Sequence, residues 1–297
     1  MTILKPAKLL ITAILLLIFS ATVFAQKLEP KERILEPEHV IASKLTGKEY
    51  QLYISFPDRY STKDTLSYPV LYVLDGKLSF YSILATKEAS DLSGSLEEVI
   101  IVGIGSGLDL QSCIKNRLYD YTPTINTPRE RALEKGWGFA AGELKSGGAT
   151  KFLKSLKTEI IPFIDKHYKT NADRGLSGHS LGGLFAAYCL INSDGYFTRF
   201  GINSPAFYWD NEKVLNQAVS QFTLNKYFDM PATKVFISVG GNDGNNYVSQ
   251  MKKFQTSLKN ADYENVDFNW QIFEGESHVS VYPAMISRTI MVLYGNK

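Results

Sequence analysis

The stretch "GLSGHSLGG" at residues 175–183 constrains the fold of this 297-residue chain more than any other feature. Its centre has the spacing Gly-x-Ser-x-Gly, and the apolar run "LFAAYCLI" follows at once. A strand that turns sharply into a buried helix at this spacing presents its serine at the end of a sheet. We therefore expect a strained backbone at Ser180, with Gly178 and Gly182 avoiding a clash that a Cβ would cause across the turn. The helix N-terminus would favour negative charge that develops beside Ser180.

The segments around this turn predict a sheet of mostly parallel strands. Residues 68–75 and 97–105 are almost wholly apolar, as strands covered on both faces are, whereas residues 49–57 alternate between apolar and polar. Further strand patterns follow in the second half of the chain, at residues 196–204, 233–241 and 266–275. Helical patterns separate them, so the chain is assigned to the α/β class, with helices on both faces of the sheet. A single domain spanning residues 26–297 is the simplest organisation.

Two segments of the first half depart from this regular pattern. Residues 106–148 contain prolines, glycines and aromatics but no long helical stripe, which predicts a functional cap or loop. Residues 152–168 have apolar side chains at helical spacing, and Pro162 lies among them. Because proline lacks an N–H and its ring clashes with the preceding turn, this helix should be kinked or divided there.

The N-terminus resembles a signal peptide. Lys5 and Lys8 precede the apolar run "LLITAILLLIF", and small residues at 23 and 25 precede Gln26. We expect residues 1–25 to be removed before Gln26, which predicts a periplasmic or secreted protein that is not bound to the membrane after cleavage. An uncleaved membrane anchor is the alternative, because the apolar run is somewhat long for a signal core.

Composition excludes some partners of the mature chain. Loss of the signal would leave 30 Lys and Arg residues against 30 acids, without a basic block. This argues against a nucleic-acid partner. Cys113 and Cys189 are too few for a disulfide scaffold, although a bridge between them stays open in an exported protein.

A nucleophilic serine needs a base that an acid holds in place, and after this turn type the acid precedes the histidine in the chain. Of the four histidines, His39 and His167 precede Ser180. His179 is its neighbour and cannot reach its Oγ productively, so we expect it to pack beside the site. His278, in the loop "FEGESHVSV", is the predicted base.

The acid is predicted at Asp243, in the turn after the strand "VFISVGG". There its carboxylate would accept a hydrogen bond from Nδ1 of the histidine and so fix the ring. Asp210 and Glu212, one strand earlier, are the alternatives.

Two backbone N–H groups should form the oxyanion hole. The first is expected from Leu181, directly after the nucleophile, and the second from Lys77 in the loop "LDGKL", with Gly76 allowing a close approach. The glycines at 103–107 lack the spacing of a dinucleotide fingerprint and predict only a turn at a strand end.

Substrate-binding candidates follow from side-chain type. Tyr208 and Trp209 lie after a strand and either line a pocket for aryl groups or pack in the core. Arg117 pairs either with an anionic substrate or with Asp120.

With these residues, the chain resembles the putative-esterase family of α/β-hydrolases. Siderophore esterases of the ferric-enterobactin and bacillibactin type are the most similar members, and S-formylglutathione hydrolases, feruloyl esterases and mycolyltransferases are more distant. The segments that carry the resemblance are "YPVLYVLDG", "RLYDYTPT", "GGATKFLKSLKTEIIPFIDKHYKT", "LSGHSLGGLFAAY", "INSPAFYWDNE" and "ESHVSVYP". Siderophore esterases often have a tryptophan pair where this chain has Tyr208-Trp209, and relatives often have glutamate where it has Asp243.

The resemblance implies an α/β-hydrolase fold and a Ser-His-acid carboxylic ester hydrolase without a metal or cofactor. Its substrate would be a small-molecule or carbohydrate-linked ester, such as a siderophore or an aryl or feruloyl ester. An acyltransferase of the mycolyltransferase type would use the same residues. A third possibility is a hydrolase scaffold that binds a carbohydrate or siderophore without catalysis.

Overall fold

Eight strands form one sheet within the part of the chain that the computed structural model describes, residues 35–63, 65–107, 109–225, 227–244 and 246–296. The predicted signal peptide, residues 1–25, lies outside these described residues. The strands are β1 (His39–Ala42), β2 (Glu49–Ser55), β3 (Tyr68–Leu74), β4 (Ile100–Ser106), β5 (Thr170–His179), β6 (Arg199–Asn203), β7 (Thr233–Gly240) and β8 (Val266–Phe273).

The strand order is β1-β2-β4-β3-β5-β6-β7-β8. β2 is antiparallel to both β1 and β4, and the remaining neighbours are parallel, so the predicted mostly parallel sheet is confirmed. Parallel strands end at one common edge of the sheet, and the loops that follow β3, β5, β7 and β8 therefore meet there.

The helices that connect and cover the strands are α1 (Gly76–Ser93), α2 (Leu110–Tyr121), α3 (Thr127–Trp137), α4 (Ala149–Ser155), α5 (Ile161–His167), α6 (Leu181–Asn192), α7 (Lys213–Leu224), α8 (Tyr247–Ala261) and α9 (Tyr282–Tyr294). α1 packs against α9, whereas α6 packs against α2 and α7. None of the helices that the structure describes is long and apolar enough to cross a membrane.

The core lies on both sides of the sheet, because every residue of β4 is buried. Phe152 of α4 joins two helices at the sheet face, with its ring centroid 5.0 Å from that of Phe185 and 5.8 Å from that of Tyr121. Burying one such aromatic side chain contributes about 1.5–3 kcal/mol to the free energy of unfolding. This cluster fixes α2 and α6, the two helices that bring residues to the site, against each other.

Residues 106–148 are more regular than the sequence predicted, because they contain both α2 and α3. Asp109 caps α2 in a capping box with Ser112, and Asn126 caps α3 with its side chain. The expectation of a segment without helices was wrong because α3 buries two glutamates, Glu130 and Glu134, where a periodic pattern would have apolar residues.

The helical segment around Pro162 is divided, as predicted. α4 passes into a π-helical turn at Leu156–Ile160, and α5 begins at Ile161 with the proline in its first turn. In this position the missing N–H of the proline costs no hydrogen bond of α5.

Candidate active site

Ser180 lies on the sharp turn between β5 and α6, with φ 60° and ψ −117°. This backbone conformation is strained for a residue with a side chain. Its N–H donates to the carbonyl of Asn203 at 3.0 Å, and its own carbonyl accepts from the N–H of Ala206 at 2.9 Å. Both partners belong to the end of β6 and the loop after it, so the neighbouring strand holds the turn in place.

The glycines around Ser180 have different roles from those expected. A Cβ on Gly178 would lie 2.4 Å from the carbonyl carbon of Gly182, which confirms the predicted clash. The same expectation for Gly182 is wrong, because a Cβ there would make an ordinary contact of 3.5 Å with Leu74. The second constrained position is Gly183, where a Cβ would lie 2.5 Å from the carbonyl oxygen of Asn203.

His278 and Asp243 are in direct contact. A hydrogen bond joins Nδ1 of the histidine to Oδ1 of the aspartate at 2.5 Å. The Asp243 side chain is fully buried in the turn after β7, and His278 lies in the loop between β8 and α9. With Nδ1 engaged by a carboxylate, the other ring nitrogen, Nε2, is the one available for proton transfer.

The alternative acids have other partners. Lys213 lies 3.9 Å from the carboxylate of Asp210, and Glu212 accepts from Gln250 at 3.0 Å and from Lys253 at 3.1 Å. The geometry therefore favours Asp243 over both as the partner of the histidine.

His179 packs beside the site, as its position next to Ser180 predicted. Its ring centroid lies 4.4 Å from that of His278 and 5.1 Å from that of Tyr282. Burial, together with the nearby His278 and Arg117, lowers the pKa of His179 to about 3. The ring is therefore neutral at physiological pH and places no positive charge next to His278.

The predicted oxyanion residues lie at two helix N-termini. Leu181 is the first residue of α6, and Gly76 and Lys77 are the first residues of α1. N–H groups in a first helical turn have no partner within the helix and can bind an anion. Gly76 does allow a close approach, but to the sheet: a Cβ there would lie 2.5 Å from the backbone of Gly103 in β4.

Arg117 does not pair with Asp120, so that alternative is wrong. Its guanidinium makes two hydrogen bonds to the carboxylate of Asp75, both at 3.1 Å. Asp120 is buried instead against Lys48, 2.7 Å away, and Tyr50, 3.0 Å away. The physical reason is that Asp120 faces the core side of α2, where burial demands a partner for its charge.

Ser180, His278 and Leu181 line a cavity of about 890 Å³ at the edge of the sheet, and Lys77 and Arg117 also face it. Aromatic rings from several elements form much of its wall: Tyr81, Trp137, Tyr208, Trp209, Tyr247 and Tyr282. This size and lining are typical of a small-molecule site. Among the described residues, no group of His, Cys, Asp or Glu side chains is arranged to hold a metal ion.

Tyr208 and Trp209 differ in exposure, although both face the cavity. Trp209 is only 2% exposed, and its indole N–H donates to the carbonyl of Thr124 between α2 and α3, so it serves core packing as well. Tyr208 is half-buried, and the guanidinium of Arg129 from α3 lies over its ring. Arg129 was missed in the sequence because its segment was not recognised as a helix.

Tyr247 also went unrecognised in the sequence. Its ring centroid lies 4.8 Å from that of His278, and it lines the same cavity as Ser180. The two cysteines are not paired: Cys113 faces the cavity and Cys189 is buried in α6.

Residues 43–289 match the protein family described as Putative esterase. The chain belongs to this family. The esterase is 24% identical over 263 residues to the ferri-bacillibactin esterase BesA of Bacillus subtilis (strain 168). The alignment covers 84% of this chain and 86% of BesA. It is 26% identical over 256 residues to the apo-salmochelin esterase of Escherichia coli O6:H1. That alignment covers 84% of this chain and 76% of the relative.

The solved structure of the BES protein from Bacillus cereus has a TM-score of 0.72 to the esterase at 29% identity, covering 86% of this chain and 94% of that one. The family and this structural similarity confirm the α/β-hydrolase fold that the sequence predicted. They also confirm that the protein is a carboxylic ester hydrolase.

Proposed function

We propose that the protein is an exported serine esterase in which Ser180 is the nucleophile, His278 the general base and Asp243 the acid. The observation that carries this proposal is the contact of 2.5 Å between the buried Asp243 and His278, which lines the same cavity as Ser180. The strained backbone of Ser180 supports it, because such strain is typical of a nucleophile on this turn.

In acylation, Oγ of Ser180 attacks the ester carbonyl carbon while its proton passes to Nε2 of His278. Asp243 keeps Nδ1 protonated and stabilises the imidazolium that forms. The negative charge on the former carbonyl oxygen is bound by the N–H groups of Leu181 and Lys77. The carbon–oxygen bond to the alcohol then breaks, and the alcohol takes the proton from Nε2.

Deacylation repeats these steps with water. His278 takes a proton from the water as its oxygen attacks the acyl carbon. The bond to Oγ then breaks, Oγ recovers the proton from Nε2, and the free acid leaves.

We assign aromatic esters of the siderophore type as the substrate, with feruloyl esters as the alternative. The names of the relatives support this assignment, since they act on bacillibactin and salmochelin. The cavity supports it as well, because it combines aromatic walls around Tyr208 with the cations Lys77 and Arg129 at its surface. Catecholate groups offer both a ring for stacking and negative charge.

The test compares wild type with Ser180→Ala on aryl acetates, feruloyl esters and catecholate trilactones. We expect the wild type to prefer the trilactones and the variant to lose roughly 10⁴-fold or more in kcat. A fluorophosphonate probe should label the wild type and not the variant. Equal turnover by Ser180→Ala would remove the serine from its role. Transfer of the acyl group to an added alcohol, in place of release as free acid, would favour the acyltransferase.

Export is proposed from the basic start, the apolar run and the small residues before Gln26. The mature protein should begin at Gln26 in the periplasmic or secreted fraction. N-terminal sequencing checks this, and an intact Met1 in the membrane fraction would favour the anchor.

A further inference from the structure

Tyr247 occupies the position next to the two reacting side chains of the proposed mechanism. It is the first residue of α8. Asp243, four positions earlier, lies in the loop between β7 and this helix. Its ring is half-buried, 4.8 Å from the ring of His278 and 5.6 Å from that of Tyr208. These two rings hold the ring of Tyr247 between them at the wall of the cavity.

The ring of Tyr247 lines the same cavity as Ser180, His278 and Tyr208, and its hydroxyl lies within hydrogen-bonding reach of the side chains of Ser180 and Tyr208. Burial, followed by the nearby hydroxyl of Tyr208, raises the pKa of Tyr247 well above its usual range. The phenol therefore keeps its proton at every pH at which the enzyme would work. A protonated phenol can donate one hydrogen bond, and this one lies in the cavity that contains the nucleophile.

The strand order defines the side from which Tyr247 approaches Ser180. β3, which leads to Lys77, lies on one side of β5, whereas β7 and β8 lie on the other side. Tyr247, which follows β7, therefore comes to Ser180 from the side of His278, opposite the proposed oxyanion loop. In acyl transfer, the leaving oxygen is on the side of the base, because the base must protonate it.

We propose that the hydroxyl of Tyr247 donates a hydrogen bond to the leaving-group oxygen of the ester during acylation. This inference rests on the proposed function of Ser180 and His278. The leaving oxygen and Oγ of Ser180 share one tetrahedral carbon, so a donor within reach of Oγ is also within reach of the leaving oxygen. As the carbon–oxygen bond breaks, that oxygen takes the electron pair and receives its proton from Nε2 of His278. Tyr247 stabilises the developing charge and keeps its own proton.

The experiment uses Tyr247→Phe, which keeps the ring and removes the hydroxyl. A series of butyrate esters with p-nitrophenyl, phenyl, trifluoroethyl and ethyl leaving groups is compared by kcat/KM, which reports acylation alone. A poor leaving group needs the donor most. We expect kcat/KM for the ethyl ester to fall by roughly 10²-fold, with the p-nitrophenyl ester within about threefold of wild type.

Two controls separate this role from a structural one. Tyr188→Phe removes a tyrosine hydroxyl on α6 that bonds to Thr150 outside the cavity, and it should leave the whole series unchanged. A fluorophosphonate loses fluoride, which needs no donor, so Tyr247→Phe should be labelled at nearly the wild-type rate. Normal labelling also demonstrates that the variant is folded around Ser180.

An equal loss across the ester series, or no loss for any ester, would overturn the role of Tyr247. Both outcomes leave the proposed function intact as long as hydrolysis by the wild type depends on Ser180. Conversely, full activity in Ser180→Ala would overturn the proposed function itself, whatever the result for Tyr247→Phe.

Discussion

Arg117 and Asp75 form a two-point ion pair at the wall of the cavity, with both nitrogen–oxygen distances at 3.1 Å. Asp75 has a left-handed backbone, with φ 54°, and directly precedes Gly76 and Lys77 at the start of α1. Its carbonyl accepts the N–H groups of Leu78 and Ser79, so the conformation of Asp75 sets the direction of the N–H groups in this turn. The ion pair therefore holds the backbone that we propose as half of the oxyanion hole.

We expect Arg117→Lys to lower kcat by roughly tenfold, with a smaller effect on KM. A lysine ammonium cannot reproduce the planar two-point contact, so the turn at Asp75 loses its orientation while a positive charge remains. Steady-state kinetics on an aryl ester measures this effect. The matched control is Arg59→Lys, at an exposed pair with Glu98, and it should change nothing. Unchanged kcat in Arg117→Lys would mean that α1 holds its N-terminus without the ion pair.

Much of the site could be predicted because it depends on chain order and sheet topology. In a parallel sheet, the loops after successive strands meet at one edge, so a serine turn followed by Asp243 and then His278 predicts their proximity. The contact between His278 and Asp243 has this origin.

The remaining site residues depend on packing that no local pattern reveals. Arg117 and Asp120 are three residues apart on one helix, which made their pairing attractive. The structure turns Asp120 inward to Lys48 and leaves Arg117 to Asp75, a choice that only the tertiary fold makes. Tyr247 was not recognised because a tyrosine at a helix start has no distinguishing local signal.

Asp243→Asn should reduce kcat by roughly 10³–10⁴-fold with little change in KM. The amide would favour the wrong tautomer of His278 and would remove the charge that stabilises the imidazolium. Activity should not recover at higher pH, since raising the pH restores neither the orientation of the ring nor the lost charge. Asp210→Asn is the control and should be mild, because Asp210 contacts only Lys213 among the ion pairs of the described residues. A crippled Asp210→Asn with a nearly normal Asp243→Asn would move the acid one strand earlier.

Glu134 fixes the loop that follows α3. Its carboxylate accepts the N–H groups of Gly142 at 2.8 Å and Leu144 at 3.0 Å, and a guanidinium hydrogen bond from Arg131 at 2.8 Å. Burial opposes ionisation, but these hydrogen bonds outweigh it and lower the pKa of Glu134 to about 2. The stabilisation is therefore present above about pH 4.5 and is lost as the pH falls toward 2.

We expect Glu134→Ala to raise KM for aromatic esters by roughly tenfold at neutral pH, with kcat retained. α3 contributes Arg129 and Trp137 to the cavity, and its orientation depends on the loop that Glu134 holds. Limited proteolysis should cleave the variant faster between residues 138 and 147. Glu88→Ala, at an exposed position of α1, is the control for the loss of a helix carboxylate. If Glu134→Ala resists the protease as wild type does, the loop is held by other contacts.

His179 should make the stability of the protein depend on pH. Its pKa of about 3 in the folded state lies below the value of about 6.5 for an unfolded histidine, so the unfolded chain binds more protons between these values. The free energy of unfolding is therefore highest above pH 6.5 and falls as the pH decreases, by up to about 1.4 kcal/mol for each unit.

From pH 7 to pH 5 this loss of stability amounts to about 2 kcal/mol, and His179→Phe should remove that share of the loss. The phenyl ring preserves the tilted contact with the ring of His278, whose centroid lies 4.4 Å away. Urea denaturation of both proteins at pH 7 and pH 5 measures the difference, and His167→Phe, at an exposed histidine of α5, should retain the wild-type response. The same acid-induced loss in His179→Phe as in wild type would mean that His179 is protonated in the folded protein at pH 5.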